Sequence, residues 1–78
     1  VRLDTLPLRR ATRIASIDWD NLGEQEGKRL RELGFDEGVA IEALNRGPIG
    51  ADPIACRVGR MTIALRRVQA AMVQVEPA

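Results

Sequence analysis

Apolar side chains recur at two periods along this chain, and the switches between them mark out the elements. Over Thr12 to Trp19 the residues are rich in β-formers, and Ala15, Ile17 and Trp19 at spacing two predict a strand with that face on a core. The period then lengthens. Leu22, Leu30 and Leu33 fall at i, i+8 and i+11, one side of a helix, with Asn21 as its expected cap and Glu24 three residues on as in a capping box. Gly27 weakens that helix by up to ~1 kcal/mol relative to alanine, and Gly34 followed by Phe35 predicts its left-handed stop. After a turn at Asp36-Glu37-Gly38, Val39, Ile41 and Ala43 alternate with Ala40, Glu42 and Leu44, which predicts a second strand.

The stretch from Asn45 to Pro53 reads as a loop by its Gly and Pro content. Ile54, Cys56 and Val58, then Met61, Ile63 and Leu65, alternate on either side of Gly59-Arg60, the pattern of a tight hairpin. Arg66 to Ala71 is long enough for one helical turn, and Val73 and Val75 make a last short strand. Five short antiparallel strands favour a closed or nearly closed barrel, because closure avoids long unpaired edges. The order predicts an all-β fold: a small SH3-like five-stranded barrel with one added α-helix after the first strand and a helical turn before the last. Its expected core is Leu30, Leu33, Val39, Ile41, Ile54, Cys56, Ile63 and Leu65.

Seventy-eight residues, 45% hydrophobic and 29% charged, are expected to form a single globular domain over the whole chain, 1–78. With no His and one Cys, neither a zinc centre nor a His-dependent nucleophile or acid–base pair can be assembled. Neither an enzyme nor a cofactor or metal site is expected. Cys56 lies in register with Ile54 and Val58 and reads as a small buried hydrophobe. No disulfide can form within the chain, and no segment reads as a membrane anchor or export signal, so a cytosolic protein is expected.

Twelve Lys plus Arg against eleven Asp plus Glu leave a net charge of +1, which argues against a dedicated nucleic-acid binder. Two aromatics, Trp19 and Phe35, cannot line a proline-rich-peptide groove or a base-stacking platform. Two readings stay open for the 45–53 segment: a plain hairpin connection, or a binding loop that presents Ile49 at its tip. Arg66-Arg67 is either solvated surface or a grip on an acidic partner. Strand edges and an apolar loop tip would also allow self-association.

An ordered set of segments carries a resemblance. Arg29-Leu30-Arg31-Glu32-Leu33-Gly34-Phe35 precedes Glu37-Gly38-Val39; Gly50-Ala51-Asp52-Pro53-Ile54 follows, then Thr62-Ile63-Ala64-Leu65-Arg66-Arg67 and Val73 to Glu76. With Leu3, Leu6 and Pro7 at the start, the chain resembles the FeoA family of bacterial ferrous-iron uptake. It departs from the family pattern at Gly59-Arg60-Met61, where Arg-Gly-aromatic is usual, and at Leu8, where Gly is usual. The resemblance implies an SH3-like barrel that binds FeoB, a membrane permease with a cytosolic GTPase domain, and supports Fe(II) import without being pore or GTPase. The candidate partner surface is then Arg29 and Glu32 on the helix, Arg46, Ile49 and Asp52 on the loop, and Arg66 and Arg67 beyond the hairpin. The alternative is a regulatory or nucleic-acid-associated barrel, related to the C-terminal domain of iron-dependent repressors.

Overall fold

A computed structural model of the chain describes residues 1–50 and 52–77, apart from the side chains of Pro48 and Ile49. A 3-10 turn at Leu3–Thr5 leads into β1 (Thr12–Ile17), α1 (Trp19–Leu22) and α2 (Glu24–Glu32). Then come β2 (Ala40–Ile49), β3 (Asp52–Val58), β4 (Met61–Leu65), α3 (Arg67–Ala70) and β5 (Val73–Val75). The strands form one five-stranded antiparallel sheet in the order β4-β3-β2-β1-β5. The expected strand order and the helical turn before β5 are as observed.

The inward face of β1 differs from the expected Ala15, Ile17 and Trp19. Pairing with β5 shifts register between Ile14 and Ser16, and a bulge inserts a residue, so inward positions fall three apart. Ile14 is therefore buried, Ile17 is half-buried, and Ala15 is exposed. Trp19 is not in the strand; it opens α1.

The single expected helix is two. Asp18, not Asn21, caps the first: its carboxylate accepts from the Asn21 backbone N–H at 3.4 Å and from Asn21 Nδ2 at 2.6 Å. Gly23 at φ 83° breaks the run, and α2 starts afresh at Glu24. The stop lies where expected. Gly34 adopts φ 96°, its N–H donates to Arg31 O at 3.0 Å, and the Phe35 N–H donates to Leu30 O at 2.9 Å. That pair of bonds is the Schellman arrangement, and it delivers the Phe35 ring into the core.

The segment expected to be a loop, Asn45 to Pro53, is mostly strand. β2 runs to Ile49 and β3 begins at Asp52, with register shifts between Ala43 and Asn45 and between Arg46 and Ile49. Pro48 falls within the register shift between Arg46 and Ile49, an irregularity of the kind at which proline is tolerated in a sheet. At Gly47 the opposite strand comes so close that a Cβ would lie 2.2 Å from the Asp52 carbonyl oxygen. Gly47 and Pro48 thus mark strand irregularities, and only Gly50, at φ 64°, belongs to the turn between β2 and β3.

Leu30, Ile41, Ile54, Cys56 and Leu65 are buried as expected, with Leu33, Val39 and Ile63 packed against them. Met61 departs from its strand's pattern and stays exposed, because it sits beside the turn on the outermost strand. The N-terminal segment completes the core: Leu3 and Leu6 are fully buried. Its backbone is pinned by the Val75 N–H donating to Val1 O at 2.7 Å, by an Arg2–Gln74 bridge, and by Arg46 Nη2 donating to the carbonyls of Asp4 and Leu6.

Candidate functional site

The local sequence that splits the helix also builds the most developed surface feature. Capping by Asp18 starts α1 at Trp19, and the Gly23 break turns α2 back so that Arg31 comes over the indole. The Arg31 guanidinium carbon lies 4.4 Å from the ring centroid, a cation–π stack. Two open clefts of about 610 Å³ each flank this pair. The first runs along α1 and α2 past Gly23, Gly27, Lys28 and Glu32; the second passes Gly34, Phe35, Asp36 and Val39. Trp19 and Arg31 thus form a ridge between them.

The floor of the first cleft depends on Gly27. Its position is buried, and a Cβ there would stand 3.5 Å from Trp19 Cε3. Acidic Asp20, Glu24 and Glu32 face basic Lys28 and Arg31 around the rim. This mixed-charge lining around an aromatic–arginine pair has the composition of protein recognition surfaces, where Trp and Arg are over-represented among residues that carry binding energy.

The residues singled out from sequence are scattered relative to this ridge. Glu32 lines the first cleft, and exposed Arg29 sits on the same helix, bonded to Glu26 Oε1 at 2.6 Å. Arg46 is half-buried and engaged with the N-terminal carbonyls. Asp52 Oδ1 accepts the Arg67 backbone N–H at 3.0 Å, and Arg67 Nη1 donates to Gly50 O at 3.3 Å, so both tie the β2–β3 hairpin to α3. The exposed Arg66 has its N–H held by Gln69 Oε1 at 3.1 Å. The side chain of Ile49 lies outside the described residues. Trp19 and Arg31 were the omission. A lone tryptophan twelve residues before an arginine gives no contact signal until the Gly23 break folds one over the other.

Other chemistry is sparse. Among the described residues no three His, Cys, Asp or Glu side chains group to hold a metal ion. Cys56 is fully buried, and burial pushes its thiol up to about 11, so at neutral pH it is a protonated core side chain. No helix of the described residues is long and apolar enough to cross a membrane.

The chain as a whole is similar to known proteins. The family described as the FeoA domain matches residues 1–77. Among solved structures, FeoA from Stenotrophomonas maltophilia is 33% identical with a TM-score of 0.79, covering 97% of this chain and 89% of that one. It is described as a prokaryotic SH3 domain protein complexed with zinc, with a suggested role as a ferrous iron transport activating factor. Iron(II) transport protein A from Clostridium thermocellum is 28% identical with a TM-score of 0.86, covering 99% of this chain, which spans 45% of that one. FeoA from Chlorobium tepidum, at 24% identity and a TM-score of 0.83 over 99% of this chain and 70% of that one, shares the fold. No curated protein sequence matches. A matched family domain over nearly the whole length, on a five-stranded fold similar to that of a solved SH3-like FeoA, makes this chain a member of the FeoA family of ferrous iron transport-associated proteins.

Proposed function

We propose that the protein is a non-enzymatic cytoplasmic accessory factor of bacterial Fe(II) uptake that binds the cytosolic part of a FeoB-like permease bearing a GTPase domain. Membership of the FeoA family supplies the pathway. The observation that carries the mode of action is the Trp19–Arg31 ridge, an amphipathic pair held up between two clefts on the helical face. Such a ridge buries aromatic area and keeps a charged edge for the partner, without needing a ligand of its own.

Arg29 and Glu32 extend this surface along α2. Arg46, Asp52 and Arg67 support it indirectly, because their bonds hold the N-terminal segment and the long hairpin in place. Ile49, at the hairpin end, and Arg66 are secondary contacts in this reading. The test mixes the purified protein with the cytosolic part of the cognate permease, with and without guanine nucleotide, in a calorimetric titration. Saturable binding is expected. Its absence under both conditions contradicts the proposal.

A further inference from the structure

The sheet has two outer strands, and only one is covered. β5 is flanked by the N-terminal segment through the Arg2–Gln74 bridge and the bond from the Val75 N–H to Val1 O. β4, at the opposite end of the order, pairs with β3 alone. The two-residue Gly59-Arg60 turn makes Val58 and Met61 a mutually bonded pair, and alternation does the same for Cys56 with Ile63 and Ile54 with Leu65. Thr62 and Ala64 therefore direct their backbone N–H and C=O groups away from the sheet. Both residues are exposed, and no backbone group among the described residues bonds to them from outside the sheet.

Natural edges are usually blunted by a charge within the strand, a proline or a bulge. β4 has none of these: its residues are uncharged, and its register with β3 is unbroken over five pairs. The sequence around it is one-signed. Residues 53–75 contain four arginines, Arg57, Arg60, Arg66 and Arg67, and no Asp or Glu. Arg60 and Arg66 bracket the strand immediately at its two ends and form no ion pair among the described residues. Two acids lie close by on the neighbouring strands, and both are engaged: Glu42 lies opposite Arg57 on β2, and Asp52 Oδ1 on β3 accepts the Arg67 backbone N–H at 3.0 Å.

That charge pattern chooses between occupants. A second copy pairing antiparallel along the whole of β4 would put Ile63 on the two-fold axis and Arg60 of each copy beside Arg66 of the other. Like charges directly opposite destabilise such a pair. We propose that the β4 edge accepts an extended peptide segment of a partner protein, uncharged and β-forming over about five residues, with an acidic residue beyond each end. Arg66 lies six positions on from Arg60, about 20 Å of extended chain, so the two acids should also stand six positions apart. The outward groups of Thr62 and Ala64 supply the main-chain bonds, and the arginines select the sequence by charge. The proposal is independent of the permease reading: it uses the β4 edge rather than the Trp19–Arg31 ridge, and of the residues in that reading it shares only Arg66.

The probe is an acetylated, amidated heptapeptide with glutamate at both ends and alternating valine and threonine between, compared with the same peptide ending in lysines. Amide NMR on the full chain should show saturable shifts at Thr62 and Ala64 with the glutamate peptide. The double variant Arg60→Glu, Arg66→Glu should bind it about tenfold more weakly and prefer the lysine peptide. Thr62→Pro, which removes an outward donor and no ladder bond, should abolish binding while circular dichroism reports an unchanged fold. Equal affinity for both peptides, shifts confined to another face, or concentration-dependent self-pairing of β4 would each overturn the proposal. No permease is present, so its failure leaves the proposed function untouched.

Discussion

Replacing Gly27 with alanine separates what the helix face needs for stability from what it needs for recognition. Glycine inside a helix costs about 0.8–1.0 kcal/mol relative to alanine. The position is buried, and the new methyl would meet Trp19 Cε3 at 3.5 Å, ordinary van der Waals contact. Burying one methyl group adds up to about 0.8 kcal/mol, so Gly27→Ala should stabilise the fold by roughly 1–2 kcal/mol. At ~4–8 °C per kcal/mol for a domain of this size, a thermal melt by circular dichroism should move up by at least about 4 °C. The same methyl raises the floor of the first cleft beside the ridge, so association with the permease should weaken as stability rises. An unchanged or lower melting temperature would refute the reasoning, because it would mean that Trp19 does not leave room at position 27.

Burial of Cys56 predicts a pH window. The unfolded thiol ionises from about 9 and the folded one only near 11, so stability should be full below pH 9 and fall between 9 and 11, by roughly 2–3 kcal/mol. Urea titrations across that range should show the fall in the native chain and not in Cys56→Ala; equal slopes for the two contradict the assignment. Arg46→Met should destabilise by about 2 kcal/mol, since two backbone carbonyls lose a charged donor. Hydrogen exchange should then accelerate first at the Thr5 and Leu6 amides, and uniform acceleration across the sheet would argue against a local clamp.

Where the sequence misled, the reason is a local irregularity that periodicity cannot represent. Strict alternation is legible in β3, where Ile54, Cys56 and Val58 are all buried, because that strand's register with β4 is unbroken. In β1 a single bulge moves the inward set from Ala15 to Ile14. In the long hairpin, Gly47 and Pro48 look like loop residues but answer to a close strand approach and a register shift. The Gly34-Phe35 stop was readable because it rests on backbone handedness and one hydrophobic contact, both local. The Trp19–Arg31 stack was not, since it depends on where Gly23 sends the second helix. Arg46 and Asp52 read as charged residues of a loop and Arg67 as one beyond the hairpin; their bonds to carbonyls and an amide are long-range, and nothing in their spacing marks them.

Trp19 is the chain's only tryptophan, so its environment can be followed without altering the surface. Incorporating 5-fluorotryptophan gives a single fluorine NMR resonance from the ridge, and the cytosolic part of the cognate permease can be titrated against it. If the ridge is the contact, that resonance should shift or broaden to saturation, and Arg31→Ala should reduce the effect. An unmoved resonance at partner concentrations where calorimetry shows binding would contradict the assignment of the Trp19–Arg31 surface.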